Sequence, residues 1–477
     1  MEIRSRLPTV LGELRSNRPF LRLLGGRVVT NAGDSLYYVA SMWLVFELTG
    51  SPLYTGVAGF LVRAPSAVGF LTGPLVDRWP LRHVLVATQL VNGVVVLVVP
   101  VAAWTGNLSV WVVLAVLPLV TFVNRFVYPA QNAALPRLVD EDGLARANSL
   151  LSAAYQGADM VFNAVSGVLV AIVGAVALFV VDAVTFAVAM LLFVGIRVPP
   201  SGDADGTGAG ADEATAADGA GADDTAETDD TAETDDTAGT DDTAETDDGA
   251  DGYLAELREG FAYVRGSLLV VLLVGVVVAN FAVGAMLGVL PAFAATAGGP
   301  DAYGLLMAAY AGGTLVGTLV ASRLDDYPLG RFATAGNVAS GATLGFGLAL
   351  GWFPATVALF FLSFVPVGAF NVLFFTMLQS AVADDLLGRV SSVVTSAATA
   401  AVPVGSAVGG VAAGLVGSRF VMYWWAGGTV VFGLYVASRP ALRSLPPAPD
   451  LDASSLRLGV SGDDGESGSA AAVGADD

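Results

Sequence analysis

The strongest constraint on this chain is a regular alternation. Apolar runs of about 20 residues are separated by short breaks, and arginine marks every second break. A helix rises about 1.5 Å per residue, so a run of about 20 apolar residues crosses a bilayer core of about 30 Å. Read this way, the first half holds spans 22–48, 53–76, 83–104, 109–133, 147–173 and 175–196. The second half holds 267–294, 303–324, 332–351, 355–382, 389–416 and 419–438. Breaks such as Thr49-Gly50-Ser51-Pro52, Thr105-Gly106-Asn107, Gly298-Gly299-Pro300 and Gly351-Trp352-Phe353-Pro354 carry turn chemistry. The expectation is an all-α polytopic membrane protein of about twelve transmembrane helices in two six-helix bundles.

The arginines test that count. The amino end carries Arg4, Arg6, Arg15, Arg18 and Arg22. Later junctions on the same side carry Arg78 and Arg82; Arg137 and Arg146; Arg197, Arg258 and Arg265; Arg323 and Arg331; Arg389; and Arg439 and Arg443. The intervening junctions have none until Arg419. Cytoplasmic loops of membrane proteins are enriched in Lys and Arg. The pattern therefore predicts a cell-membrane protein with both termini and the central linker in the cytoplasm.

Composition agrees. The chain is 55% hydrophobic and 14% charged, against about 25% charged in soluble domains. Its mean hydropathy is +0.68. The net charge of -21 is local: residues 201–251 hold 19 Asp and Glu and no base, leaving 24 acids against 22 bases elsewhere. Every one of those bases is Arg, and no basic footprint for nucleic acid is visible. The expected domains are a six-helix bundle over 1–200, a disordered acidic linker over 201–251, a second bundle over 252–440 and a disordered acidic tail over 441–477. A repeat of six, Asp-Asp-Thr-Ala-Glu-Thr, fills the linker from Asp223 to Asp248 and cannot bury enough apolar area to order itself. Tyr253 to Arg265 reads as a short amphipathic helix with Tyr253, Leu254, Leu257, Phe261 and Val264 toward lipid. With no Cys and a single His, His83, at a span edge, an enzyme, a metal site or a cofactor is not expected.

Ionisable groups within lipid-crossing spans are costly, so each is a functional candidate. They are Arg27, Asp34, Arg63, Arg125, Asp159 and Asp182, all in the first half. Arg27, Asn31, Asp34 and Tyr38 recur at intervals of four, three and four, which places one polar stripe along the first span. Counting about 1.5 Å per residue from the nearest turns matches Asp34 to Arg63 and Arg125 to Asp159 in depth, with Arg125 facing Asp34 as the alternative. Asp182 falls near the outer surface by the same count, where packing or capping is the simpler role. Burial away from water favours a neutral carboxyl and a nearby guanidinium favours the carboxylate. A group that alternates between such surroundings can load and release a proton. The second half offers only neutral candidates for a cavity wall, chiefly Asn280, Phe281 and Asn371.

The segment Gly73-Pro-Leu-Val-Asp77-Arg78-Trp-Pro-Leu-Arg82-His83 resembles the loop 2–3 signature of the major facilitator superfamily, with Pro80 where a Gly is usual. The stretches Asn31-Ala-Gly-Asp34, Trp43 through Pro52, Tyr128-Pro-Ala-Gln131, Ala145-Arg-Ala-Asn148, Val181-Asp182-Ala-Val-Thr-Phe186 and Asn371 through Val390 are similar to its multidrug, macrolide and enterobactin exporters. The resemblance implies the major facilitator fold. It also implies a cytoplasmic gate in which Asp77 caps the start of span 11 while Gly73, Arg78, Arg82 and Arg389 complete a charge clasp. Taken with the buried carboxyls of the first half, the chain reads as a proton-coupled exporter of a medium-sized apolar or amphipathic solute, acting as a monomer in the bilayer. Protons are the expected coupling ion, with sodium as the alternative. An importer or facilitated-diffusion carrier of the same fold, and a non-transporting scaffold or sensor, remain open at this point.

Overall fold

The computed structural model describes residues 16–65, 79–196, 258 and 261–451. The linker, most of the C-terminal tail, and Gly73, Asp77 and Arg78 of the expected gate lie outside the described residues. In the first half the helices are α1 (Arg18–Thr49), α2 (Pro52–Arg63), α3 (Leu81–Trp104), α4 (Val110–Asn124), α5 (Val127–Ala134), α6 (Glu141–Val173) and α7 (Ala175–Val194). The second half has α8 (Leu269–Ala297), α9 (Pro300–Ala321), α10 (Leu329–Leu350), α11 (Phe353–Ala381), α12 (Asp384–Val416), α13 (Ser418–Ser438) and the short α14 (Pro440–Arg443).

Eight of these segments, with α4 and α5 taken as one, are long and apolar enough to cross a membrane, and α6 makes a ninth once its bend of 41° is allowed for. The glycine- and polar-rich α1 and α10, and α2, described only as far as Pro65, complete the twelve. Exposed Ile172, Leu191 and Leu415 point away from the bundles, as lipid-facing side chains do. The helices overrun the expected spans where polar residues continue them: α1 starts at Arg18 and α12 at Asp384. Apolar run length marks the bilayer, whereas a helix ends only at a cap. In α1 those caps are Asn17, whose side chain accepts from the Phe20 amide at 3.0 Å, and Gly50 in the left-handed region.

Span 4 is a larger departure. The expected continuous helix breaks at Arg125, between α4 and α5. Pro129 has no amide hydrogen to offer the Arg125 carbonyl four residues earlier, and its ring crowds that carbonyl. The chain tightens instead, with Arg125 N donating to Phe122 O at 3.1 Å and Phe126 N to Val123 O at 3.2 Å. Of the expected amphipathic helix, residues 261–265 are described and helical; Phe261 is exposed as expected, but Val264 packs into the second half's core.

The two ends of the molecule differ chemically. Among the described residues every positive-φ backbone is a glycine at one end: Gly50, Gly106, Gly174, Gly298, Gly299, Gly351 and Gly417. These turns leave almost no loop between successive helices. We term this the glycine end. The described junctions at the opposite, arginine end carry Arg18, Arg22, Arg82, Arg137, Arg146, Arg265, Arg323, Arg331, Arg389, Arg439 and Arg443. Arg419, the exception at the glycine end, donates to the Leu348 carbonyl and so closes the C-terminus of α10.

The core follows the same division. One apolar cluster runs through both halves toward the glycine end, from Tyr37, Val39 and Phe179 to Leu290, Leu306 and Trp425. Toward the arginine end each half has a cluster of its own, around Phe20, Leu85 and Phe193 in the first and Leu272, Met377 and Val436 in the second. Across the shared seam Trp43 stacks on Tyr303 with ring centroids 5.8 Å apart, and Ser406 Oγ donates to Gly56 O at 3.2 Å. Gly167 lies directly against Gly304, where any Cβ would strike the opposing backbone.

Candidate functional site

Where the halves separate, a cavity of about 720 Å³ opens among the helices of the first half. Its floor is α1, whose stripe holds as expected: Arg27, Asn31, Asp34 and Tyr38 all line it. The break after α4 places Asn124 and Arg125 on a second wall, and α5 adds Tyr128, Gln131 and Asn132. Asn148, Ser152 and Tyr155 of α6 form the third. Val62, Val120 and Leu151 are the principal apolar contributions. The wall is thus richer in amides, phenols and guanidinium groups than the apolar reading of the solute implies.

Asp34 ends a hydrogen-bonded chain of side chains. Its Oδ1 accepts from Asn124 Nδ2 at 3.1 Å, and Asn124 Oδ1 accepts from Asn92 Nδ2 at 2.6 Å. The guanidinium acting on Asp34 is that of Arg27, one of the same stripe, rather than the depth-matched Arg63. Arg27 also lies over the Tyr155 ring at 5.9 Å, and its Nε is buried without a hydrogen-bond partner. Arg63 lies over the Tyr38 ring at 5.7 Å, within electrostatic reach of Tyr310 and Asp159.

Asp159 joins α6 to α1. Its Oδ1 accepts from Ser35 Oγ at 2.8 Å and from Asn163 Nδ2 at 2.8 Å. One turn away, Asn31 Nδ2 donates to the Tyr155 carbonyl at 3.2 Å. Asp159 therefore meets hydroxyl and amide donors where the depth count matched it to Arg125. Arg125 stands beside Tyr155 in the cavity wall.

The second-half candidates do not line this cavity. Asn280 Nδ2 donates to Val276 O of its own helix at 2.9 Å. The Phe281 backbone receives Gly405 of α12 at close range, and Asn371 is exposed. Of the expected gate, Arg82 is exposed in the first turn of α3 and Arg389 is half-buried in α12. Asp182 overturns the near-surface reading: it is fully buried, eight residues into α7, facing α1 at Gly33. Sequence reasoning also gave no role to Tyr37, Gln89, Asn92, Asn124 or Tyr155. Amides such as Gln89 and Asn92 in the Val-rich span 83–104 were the available signal.

A polar cavity among membrane-spanning helices, in a molecule whose halves share one apolar core at the glycine end and, among the described residues, keep separate cores at the other, is the architecture of a membrane transporter. The pattern of the Major Facilitator Superfamily matches residues 23–300, more than half of the chain, and the protein belongs to that family. The chain is 28% identical over 189 residues to Macrolide efflux protein A of Streptococcus pyogenes; the match covers 39% of this chain and 46%, about half, of that relative's length. It is 26% identical over 461 residues to the Multidrug efflux pump Tap of Mycobacterium tuberculosis, covering 92% of this chain and 97% of that protein. Among solved structures, the nucleoside transporter NupG is similar with a TM-score of 0.60 at 13% identity, over 88% of this chain and 98% of that one. A bacterial homologue of the iron transporter ferroportin in its inward-facing state gives 0.60 at 15%, also over 88% and 98%. These structures share the fold.

Proposed function

We propose that this protein is a proton-coupled exporter of medium-sized amphipathic solutes, working by alternating access in the cell membrane with its arginine end toward the cytoplasm. The observation that carries this reading is the position of Asp34. It is a carboxyl on a cavity wall, held between the Arg27 charge and the Asn124 amide, in a cavity of about 720 Å³. That volume suits one drug-sized solute. When Asp34 takes up a proton, Arg27 loses its counter-charge and the α1 stripe is free to rearrange against α4 and α6. Solute entering from the arginine end and proton entering from the other side would then use opposite openings of one cavity. The efflux relatives favour the outward direction.

The test is transport in sealed proteoliposomes, using a panel of macrolides and amphipathic dyes as probes. Efflux should respond to an imposed pH gradient, and Asp34→Asn should abolish that response while probe binding persists. Coupling that survives unchanged in Asp34→Asn removes this residue from the mechanism. Flux that runs only inward replaces the exporter reading with an importer of the same fold.

A further inference from the structure

We propose that Asp182 is a proton-binding site set behind the cavity wall, exchanging its proton with Asp34 by way of the Tyr37 hydroxyl. Gly33, Tyr37 and Ser41 recur every four residues on α1, and the first two of them meet Asp182, Thr185 and Phe179 of α7. Gly33 leaves room for the Asp182 carboxyl and Thr185 hydroxyl to lie against the α1 backbone, where a Cβ would collide with both. Tyr37 fixes the next turn, its ring edge-on to Phe179 with centroids 5.5 Å apart.

One buried oxygen in this seam, Asp182 Oδ2, has no hydrogen-bond partner, while Tyr37 OH and Ser41 Oγ, one turn apart on α1, have only each other to turn to. Asp182 is 0% exposed and Tyr37 4% exposed. Thr185 Oγ1 donates to the Asp182 backbone carbonyl at 2.8 Å and lies 3.3 Å from Asp182 Oδ1, and Oδ2 is left as the open atom. Its charged surroundings offer no compensation. The elements packed on α7 are α1, α3 and α6. From α1 come Asp34, of like sign, and the neutral phenol of Tyr37. The deep polar groups of α3, Gln89 and Asn92, are amides. Among the described residues no guanidinium is recorded acting on Asp182, and α6 contributes no charge there. A carboxylate without a counter-ion in so dry a place is strongly disfavoured, and the group holds a proton instead.

Tyr37 connects this store to the cavity. It lines the cavity beside Asp34 while its ring meets Phe179 of α7, so one side chain touches both the cavity and the seam that holds Asp182. In the exchange, the Tyr37 O–H bond breaks as its proton passes to the Asp34 carboxylate. A new O–H bond forms as the phenol oxygen takes the proton of Asp182. Tyr37 ends neutral, and the negative charge has moved from Asp34 to Asp182.

The exchange rests on Asp34 being the coupling carboxyl, whereas the occupancy of Asp182 does not, and the experiment separates them. Full-length protein labelled with carboxyl-13C aspartate is reconstituted and its infrared spectrum taken at neutral pH. A protonated aspartic acid band should be present, lost in Asp182→Asn, retained in Asp34→Asn and shifted in Tyr37→Phe. In Asp182→Glu the isotope shift should vanish while an unlabelled carboxylic acid band appears. A band unchanged in Asp182→Asn, or lost in Asp34→Asn instead, overturns the proposal. If neither Asp182 variant folds, a band unmoved in Tyr37→Phe overturns the link to the cavity. Failure of proton-coupled flux with these bands intact would count against the transport reading alone.

Discussion

At the glycine end the two halves share one apolar core, while at the arginine end each half keeps its own. The difference begins in chain chemistry. Glycine turns join successive helices almost without loops, and small residues such as Gly56, Gly167, Gly304 and Gly410 let backbones of opposite halves meet. The arginine-bearing junctions cannot close in that way, because guanidinium groups stay with water. The molecule is therefore shut where it is smooth and open where it is charged. The polar groups of the first half lie within the opening, and the second half, with no charge deep in its described spans, serves as the surface they move against.

This comparison can be broken most directly at Gly167. The chain has no cysteine, so single cysteines introduced at Asn132 in the cavity and Ser406 in the seam report on each end without background. A membrane-impermeant thiol reagent should label position 132 much faster than 406. Gly167→Leu drives a side chain into the Gly304 backbone and should invert that order; unchanged rates would show that this contact does not hold the glycine end shut. A population change of tenfold needs only about 1.4 kcal/mol, well within reach of such a clash.

Trp43→Ala should act in the same direction but less completely, since it removes the stack on Tyr303 and leaves the glycine contacts in place. A large-to-small core change of this kind costs about 3 kcal/mol. A matched Phe193→Ala, in the first half's own core, should lower the melting temperature comparably and leave the labelling order alone. If both variants shift the order equally, the two cores are not independent. The smallest effect is expected for Arg419→Gln, which loses the cap on α10: about 0.3–1 kcal/mol in melting measurements, with the labelling order preserved.

Much of this was legible in the chain itself. Run length placed most of the described spans within a few residues, because a bilayer sets one length for all of them. The α1 stripe was legible because its members share one helix, where spacing fixes direction as well as height. Partners across helices were not. Counting residues from a turn gives depth but no rotation about the helix axis, so Asp34 was matched to Arg63 although Arg27 acts on it. The same blindness placed Asp182 near the surface when Gly33 admits it to a buried seam. The break at Arg125 required reading Pro129 by its effect four residues back.

The shared core has a thermal consequence. Opening the glycine end would wet Trp43, Tyr303 and the aliphatic groups around them, all now dry. Hydrating apolar surface raises heat capacity. A transport cycle that passes through that wetted seam inherits a curved dependence on temperature: its barrier is more entropic in a cool bath and grows more enthalpic as the bath is warmed, and its pace reflects the solvent as much as the cargo.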